Sequence, residues 1–265
     1  ENFSLLLEGL RGALGAHKIV SIAAGAGQAK GETRIDLLKK NRAILRTILD
    51  GIKPVNTEAI LLLVSNPVDI LTYIALDLSG FDPHRVIGSG TVLDTARLKF
   101  LVGRMLQVDS RNVHTFIIGE HGDSELPVWS SANVSGIDLY GFCKISGVPD
   151  YQNQLDRMFM EVRTSAYKII ENKGATYYAI AEAVLRIVDS IVRDQDSILP
   201  VSTLVEGHYG LSDICLGVPS VIGADGVKNV LDIPLSQAEY ADLHTSAKAL
   251  KKALGGLSED VMAPV

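Results

Sequence analysis

Three short apolar runs alternate with helix-like segments over the first 90 residues, and this alternation restricts the fold more than any other feature of the chain. The runs are HKIVSIAAG (17–25), AILLLV (59–64) and RVIGSG (85–90), and each ends in or precedes glycine or polar residues. Between them, residues 35–50 and 68–79 carry apolar residues at helical spacing. This β-α-β-α-β order predicts a parallel sheet of the doubly wound α/β type, because parallel strands need long crossover connections.

Beyond residue 90 the pattern changes, because helix-like segments are followed by three strand-like segments with no helix between them. The predicted elements are helices over 91–106, 154–172 and 177–193, a polar linker over 144–153, an antiparallel hairpin over 197–207 and 213–223, a third strand over 226–234 and a terminal helix over 235–254. Ser236 and Glu239 have the spacing of a capping box at the start of that last helix. We therefore expect an α/β domain over 1–89 and an α+β domain over 90–265.

The composition is that of a folded protein without a polyanionic or membrane partner. Hydrophobic residues make up 47% of the 265 residues and charged residues 21%, which is typical of a globular protein with a substantial core. A net charge of -6 gives no electrostatic reason to bind nucleic acid. No apolar run approaches the roughly 18 residues of a membrane span. The two cysteines, Cys143 and Cys215, make neither a disulfide framework nor a metal site, so we expect a protein of the reducing cytoplasm.

The segment IIGEHGDSELPVW, residues 117–129, is the first candidate for a reactive site. Its apolar run stops at Gly119, so His121 is expected in the turn beyond a strand end, where ligands commonly bind in α/β folds. Histidine has a pKa near neutrality, and a neighbouring carboxylate can orient the ring and hold its proton. A lone histidine in a glycine-bounded turn is more often a surface or capping residue, so this segment needs partners elsewhere in the chain.

Asp94 and Arg97 are candidate partners for the histidine. They lie three residues apart in the predicted helix over 91–106, and hence on one face of it. One interpretation is a surface ion pair that contributes little to stability. The other is a carboxylate that supports an imidazole, beside a guanidinium that binds a substrate carboxylate. The two residues alone leave both interpretations open.

The loop GAGQAKGETR, residues 25–34, has the composition of a flap. Glycines at both ends can act as hinges, and the loop also carries the polar residues Gln28, Lys30, Glu32 and Arg34. A closing flap with a cation would cover a polar substrate and exclude water. The alternative is a solvated loop whose charges have no role.

None of the glycine clusters near the start of the sequence fits a dinucleotide-binding turn. Gly9, Gly12 and Gly15 are spaced by three and follow no strand, so a short helix is the better interpretation. Gly25 and Gly27 follow the first strand, but the third glycine of the pattern comes one residue too late.

The second strand ends in the polar sequence Ser65-Asn66-Pro67. The proline excludes Asn66 from a regular helix and allows a cis peptide bond. A polar amide at a strand end is either a ligand contact or part of a turn-forming Asn-Pro pair.

Six motifs taken together closely resemble the L-lactate/L-malate dehydrogenase family. They are AGAGQAKGETR, SNPVDIL, VIGSGTVLDTAR, IIGEHGDSELPVW, KGATYY and PVST, and they follow the family's order and spacing from about residue 17 to 254. The resemblance implies a Rossmann-type NAD-binding domain over 1–89 and a catalytic α+β domain over 90–265. It also implies reversible hydride transfer between NADH and pyruvate to give L-lactate, in a homotetramer or alternatively a dimer.

The same resemblance implies roles for individual residues. The catalytic residues would be His121 as acid/base, Asp94 as its carboxylate partner and Arg34 as the group that polarises the reacting carbonyl. The substrate-binding residues would be Gln28, Arg34, Asn66, Arg97 and Thr203, and the cofactor-binding residues Gly25, Ala26, Val64, Ser65 and Asn66. An allosteric phosphate site for fructose 1,6-bisphosphate would include His114 and Lys99, although the family pattern has arginine at the position of Lys99. The neutral Gln28 favours pyruvate over oxaloacetate, because the malate enzymes of the family tend to carry arginine there.

The sequence departs from the family pattern at its start. The family begins with a strand, a G-x-G-x-x-G turn, a helix and a second strand, and the sequence does not contain these motifs. We expect that this segment precedes the sequence in the complete polypeptide; the alternative is a polypeptide that lacks it and has an incomplete sheet. Two other functions therefore stay open, namely malate dehydrogenase and a catalytically idle relative with a structural role.

Overall fold

The computed structural model describes residues 18–26, 34–52, 56–173 and 178–261, which contain seven α-helices and eleven β-strands. The helices are α1 (Arg34–Ile52), α2 (Val68–Ser79), α3 (Val92–Leu106), α4 (Leu139–Ile145), α5 (Tyr151–Lys173), α6 (Tyr178–Val192) and α7 (Gln237–Val261). The strands are β1 (Ile19–Ile22), β2 (Ile60–Leu63), β3 (Val86–Gly88), β4 (Val113–His114), β5 (Ile117–Ile118), β6 (Leu126–Pro127), β7 (Asn133–Val134), β8 (Ile137–Asp138), β9 (Ser197–Val205), β10 (Ile214–Gly223) and β11 (Gly226–Val230).

Six of the strands form one sheet in the order β1-β2-β3-β9-β10-β11. β1, β2 and β3 are parallel, with α1 and α2 as crossover connections, which confirms the predicted β-α-β-α-β order. β9, β10 and β11 are antiparallel neighbours, as predicted for the hairpin and the third strand. The two groups meet where Gly88 of β3 pairs with Ser202 of β9, so the strands of the second half extend the parallel sheet.

The strand β2 and the helix after it place the polar residues of the SNP motif at the edge of the sheet. All four residues of β2 are at most 1% exposed, as expected for a parallel strand covered on both faces. Each buried side chain of this size contributes roughly 1.5–3 kcal/mol to folding. α2 begins directly after Pro67 and ends at Gly80, which has a φ of 64° and donates its N–H to the Leu76 carbonyl. The predicted helix over 68–79 is therefore confirmed.

The prediction of a polar linker over 144–153 was wrong at both of its ends. α4 extends to Ile145, and α5 already begins at Tyr151. α4 has only seven residues, which are too few to show a helical period in the sequence. It is initiated by Asp138, whose carboxylate accepts a hydrogen bond from the Gly141 N–H at 2.8 Å. α4 packs through Leu139 and Cys143 into an apolar cluster that also contains buried residues of α3 and α5.

The capping box predicted at the start of α7 is confirmed. The Ser236 N–H donates to the Glu239 carboxylate at 2.7 Å, and the Glu239 N–H donates to the Ser236 hydroxyl at 3.3 Å. The same carboxylate accepts hydrogen bonds from the N–H groups of Trp129 and Ser130, at 2.8 and 2.9 Å. Glu239 therefore links the start of α7 to the residues just after β6, which follow the turn with His121 in the sequence.

Some predicted elements concern residues outside the described ranges. They are the helix with Gly9, Gly12 and Gly15 and most of the flap over 25–34. Among the helices that the structure describes, none combines the length and the apolar character needed to cross a lipid bilayer.

Candidate active site

Two glycines fix the point at which the chain leaves the sheet before His121. Gly119 follows β5 and exchanges two backbone hydrogen bonds with Gly217 of β10, of 2.8 and 2.9 Å. Gly119 has a φ of 94°, which favours glycine, and the chain turns there as predicted. The His121 N–H then donates to the Asp69 carboxylate at 2.7 Å. The backbone on either side of the turn is thus held before any ligand binds.

The imidazole of His121 is hydrogen-bonded to Asp94. Its Nδ1 lies 2.7 Å from Asp94 Oδ2, which leaves Nε2 as the ring nitrogen that can face a substrate. Arg97, one turn further along α3, has a guanidinium nitrogen 3.5 Å from Asp94 Oδ1. The Asp94 and Arg97 side chains are 5% and 19% exposed, so they do not form a solvated surface pair. The structure brings His121, Asp94 and Arg97 into one cluster.

The carboxylates around His121 favour the protonated ring. Burial alone would lower the pKa of His121, but the hydrogen bond and charge of Asp94, with contributions from Asp69 and Glu125, raise that pKa to about 9. The ring therefore carries a proton at neutral pH and is ready to act as an acid. To act as a base, the His121 ring must first lose this proton, and the fraction of neutral rings increases as the pH rises.

Two carboxyl groups near the ring were missed by the reasoning from sequence. Asp69 lies in the first turn of α2, and its burial raises its pKa to about 6, although the nearby Ser202 hydroxyl and the His121 N–H both lower that pKa. Burial also raises the pKa of Glu125, to about 8, and the charge of Asp94 adds to this effect. The sequence signal that could have indicated Glu125 was its position in the segment 117–129, which also contains His121. Nothing in the sequence indicates that Asp69 contacts that segment.

The candidate cofactor residues lie at the adjoining carboxyl ends of β1 and β2. The Ser65 hydroxyl donates to the Ala24 carbonyl at 2.7 Å and so joins the two strand ends. Gly25 lies close to the same residue, because a Cβ on Gly25 would be 3.2 Å from the Ser65 Cβ. One edge of the sheet therefore carries the five predicted residues Gly25, Ala26, Val64, Ser65 and Asn66.

Asn41 of α1, which the sequence did not reveal, holds this edge together. Its amide oxygen accepts a hydrogen bond from the Ala26 N–H at 2.6 Å. Its amide nitrogen donates to the carbonyls of Ala26 and Asn66, both at 3.4 Å. Asn66 is joined to Pro67 by a cis peptide bond, the isomer that the sequence allowed. An asparagine inside a helix has no sequence pattern that distinguishes such a role.

The described part of the chain does not place three of the predicted site residues in this cluster. Gln28 lies outside the described residues, and Arg34 begins α1 with a side chain that also lies outside them. Thr203 is buried in β9, where successive side chains point to opposite faces of the sheet. Because its neighbour Ser202 faces Asp69, Thr203 points away from that carboxyl. The roles of these three residues stay predictions.

Lys99 and His114, the residues of the predicted phosphate site, line one cavity of about 680 Å³ between α3, α6 and β9. Arg111 and Arg186 line it as well, so several positively charged groups face the same space. Burial and the charge of Arg186 lower the pKa of Lys99. The side chain of Phe100, which also lines the cavity, is exposed.

Both halves of the chain match models of one protein family. Residues 91–260 match the lactate/malate dehydrogenase alpha/beta C-terminal domain, and residues 7–88 match the lactate/malate dehydrogenase NAD binding domain. The chain belongs to the lactate/malate dehydrogenase family. Membership confirms the predicted fold class and the predicted NAD cofactor. The cluster around His121 lies in the segment that matches the C-terminal domain, and the edge around Ser65 lies in the NAD-binding segment.

Named members of the lactate/malate dehydrogenase family are similar along most of the chain. An L-lactate dehydrogenase of Acetivibrio thermocellus is 50% identical over 234 residues, which cover 88% of this chain and 74% of that protein. The L-lactate dehydrogenase 1 of Clostridium acetobutylicum is 49% identical over 239 residues, which cover 90% and 76%.

Solved structures of family members have the same fold. MGS-M5, a lactate dehydrogenase from a Medee basin deep-sea metagenome library, gives a TM-score of 0.89 at 41% identity, with 94% of this chain and 79% of that one covered. The minor L-lactate dehydrogenase of Enterococcus mundtii in its ligands-bound form gives 0.88 at 38% identity, with 93% and 78% covered.

Proposed function

We propose that this member of the family is an L-lactate dehydrogenase, which transfers hydride reversibly between NADH and pyruvate to give L-lactate. The observation that carries the proposal is the hydrogen bond between His121 and Asp94, with Arg97 on the next turn of the same helix. This arrangement sets a proton donor beside a group that binds carboxylates. The names of the relatives at 50% and 49% identity support it. The direct test is pyruvate-dependent oxidation of NADH by the purified protein.

The edge formed by the ends of β1 and β2 fits a bound NAD. Ligands of open α/β sheets bind at the carboxyl ends of the strands, and Gly25 has no side chain to crowd this edge against Ser65. The residues that would hold the cofactor are Gly25, Ala26, Val64, Ser65 and Asn66. When bound, NADH supplies the hydride, and the side chains of the protein supply the proton and the orientation of the substrate.

His121 supplies the proton that reduction of a carbonyl requires. The protonated ring donates from Nε2 to the carbonyl oxygen of pyruvate, and in the reverse direction the neutral ring accepts the hydroxyl proton of lactate. Asp94 holds Nδ1 and stabilises the positive charge of the ring. A positioned acid/base group typically contributes about 10²- to 10⁴-fold to the rate.

Arg97 orients the substrate by binding its carboxylate. Its guanidinium offers two parallel N–H donors that match the two carboxylate oxygens. Arg34 would polarise the reacting carbonyl when the flap closes, because its charge acts more strongly in a site without water. Asn66 would lie at the reacting oxygen and the nicotinamide, and Thr203 would line the substrate site.

Gln28 is proposed to select pyruvate over oxaloacetate. A second substrate carboxylate would enter the closed site beside a neutral amide, and burial of an unpaired carboxylate is costly. We expect kcat/KM for pyruvate to exceed that for oxaloacetate by about 100-fold or more. Gln28→Arg is expected to increase oxaloacetate reduction, whereas Gln28→Asn, which keeps a neutral amide, is expected to retain the preference. Steady-state kinetics with both substrates measure these effects.

The same assay separates the alternative functions. Faster reduction of oxaloacetate than of pyruvate by the unchanged protein would identify a malate dehydrogenase. If neither substrate is reduced by protein that binds NADH, a catalytically idle relative with a structural role becomes the better explanation.

We further propose that the protein is a cytoplasmic homotetramer, with a dimer as the alternative, and that the cavity with Lys99 and His114 binds fructose 1,6-bisphosphate. The exposed apolar side chains of Phe100 and Ile198 beside the cavity support burial by another subunit, and the buried free thiol of Cys143 supports a reducing location. Light scattering is expected to give four times the mass of one polypeptide chain, as measured by mass spectrometry on the same preparation. Fructose 1,6-bisphosphate is expected to lower KM for pyruvate in the unchanged protein and not in Lys99→Ala. A monomer, or an equal response of both proteins, would contradict the proposal.

A further inference from the structure

Glu125 is a buried carboxyl group beside the His121–Asp94 pair. It lies four residues after His121 in the same segment, and it is 5% exposed. Its carboxyl oxygen, the His121 ring nitrogen and an Asp94 oxygen all lie within 4.8 Å of one another. At this distance in a buried site, a charge on any one of the three groups changes the energy of charging the other two.

One oxygen of this carboxyl has no evident structural purpose. Within the described part of the chain, the Oε1 atom of Glu125 is buried and has no hydrogen-bond partner. A buried polar atom without a partner costs about 1–3 kcal/mol, and more when it is charged. The carboxyl is therefore not there to stabilise the fold, and a role in the chemistry of the site is the better explanation.

Charged groups on the helices α2, α3 and α5 lie near Glu125 and His121. Asp94 and Arg97 of α3 and Arg163 of α5 face Glu125, together with His121 from its own segment. Arg163 also donates a hydrogen bond to the Asp123 carbonyl at 3.4 Å, so α5 contacts the histidine turn directly.

Asp69 of α2 also acts on His121, because its carboxylate accepts a hydrogen bond from the His121 N–H at 2.7 Å and its charge raises the pKa of the ring. Burial raises the pKa of Asp69 to about 6, and burial together with Asp94 raises that of Glu125 to about 8. Glu125 is therefore the carboxyl that changes its charge in the range in which His121 also does.

We propose that Glu125 is a positioning residue that acts through His121: its carboxylate stabilises the protonated imidazole together with Asp94, so that neither Glu125 nor His121 changes charge independently of the other. The proposal follows from the placement of three ionisable groups in one cluster, of which the two carboxyl groups are buried. It assigns a purpose to a carboxyl that has no other partner at Oε1.

The consequence for the reaction rests on the proposed function. Above about pH 8, where Glu125 is ionised and before substrate binds, the negative charges of Asp94 and Glu125 lie beside the positive charges of Arg97 and the protonated His121. When the carboxylate of pyruvate binds at Arg97, it adds a negative charge to a buried site, and this favours a neutral, protonated Glu125. In this pH range, Glu125 thus supplies a negative charge beside the protonated ring until the carboxylate of the substrate binds.

The test follows the His121 ring directly by NMR of protein labelled with ¹³C at the Cε1 atoms of its six histidines. The His121 signal is the one that disappears in His121→Asn. In Glu125→Gln, which keeps the size of the side chain and removes its charge, the midpoint of the His121 titration is expected to fall by about one pH unit. Glu125→Asp, which keeps a carboxyl, is expected to keep the midpoint near that of the unchanged protein. Glu161→Gln makes the same chemical change at an exposed position of α5 and is expected to have no effect.

An unchanged midpoint in folded Glu125→Gln would overturn the proposal, and so would an equal shift in Glu161→Gln. If Glu125→Gln does not fold, the unchanged protein decides the question. Two coupled groups titrate in two steps, so the His121 signal is expected to show a second step above pH 7, and a single step would overturn the proposal. The readout needs no turnover. Absence of pyruvate reduction would therefore contradict the proposed function, while the titration would still decide the role of Glu125.

Discussion

Replacement of His121 by asparagine is expected to lower kcat for NADH-linked reduction of pyruvate by about 10²- to 10⁴-fold. Asparagine can still bond to Asp94 through its amide, but it has no proton to give at neutral pH. The His121 N–H bond to Asp69 belongs to the backbone and is retained, so the turn is expected to keep its shape. Steady-state kinetics measure the loss in kcat. The Kd for NADH, measured by NADH fluorescence, is expected to change by no more than about threefold, because the substitution changes no residue at the carboxyl ends of β1 and β2.

The matched control for this variant is His84→Asn, which makes the same substitution at an exposed histidine in the turn before β3. It is expected to retain the kinetics of the unchanged protein. If turnover survives undiminished in His121→Asn, the imidazole is not the proton donor, and the interpretation of the whole cluster fails. A loss of NADH binding as large as the loss of kcat would instead show that the substitution disturbs the fold.

The parts of the fold that the sequence predicted are those whose signal is local. The buried run AILLLV and the helix that ends at Gly80 were both predicted, because each carries its apolar period and its end signal within a few residues. The short helix α4 was missed for the same reason. Its seven residues contain less than two full helical periods, and only its capping aspartate marks its start.

The candidate site was predictable in its residue types and not in its geometry. The chemistry of an imidazole, a carboxylate and a guanidinium, together with the family motifs, singled out His121, Asp94 and Arg97. Asp69 was missed, because its contact joins backbone and side chain 52 residues apart in the sequence. The contacts of Asn41 to the strand ends likewise depend on how α1 packs against the sheet. No pattern within either segment encodes such a contact.

Burial was the second property that the sequence could not supply. Glu125 stands in an acidic, polar segment, in which most side chains would be expected in water. In the fold, Glu125 is buried near Asp94 and Arg97 of α3 and Arg163 of α5, and this burial is the largest cause of its raised pKa. A charge count of the segment alone therefore gives the wrong protonation state at neutral pH.

Replacement of Arg97 by lysine is expected to lower kcat/KM for pyruvate by roughly 10- to 100-fold, even though the positive charge is retained. Hydrogen bonds to charged groups contribute about 1.5–3 kcal/mol, and lysine offers a single ammonium where the guanidinium offers two parallel donors. Arginine and lysine can both form the ion pair with Asp94, in which the nitrogen and oxygen are 3.5 Å apart. The loss in kcat/KM is therefore expected to reflect weaker binding of the substrate carboxylate and not a weaker contact between Asp94 and His121. Steady-state kinetics with pyruvate measure it.

Two further variants separate geometry from charge in this prediction. Arg97→Gln removes the charge as well and is expected to lose at least another tenfold in kcat/KM, because the substrate carboxylate is then buried without a counter-charge. Arg104→Lys makes the conservative change two turns away on the exposed face of the same helix, where Arg104 stacks on Phe100, and it is expected to leave kcat/KM unchanged. If Arg97→Lys has the same kcat/KM as the unchanged protein while Arg97→Gln has a lower one, only the charge of Arg97 matters. The proposal that two N–H donors bind the substrate carboxylate is then wrong. If all three variants match the unchanged protein, the substrate binds elsewhere.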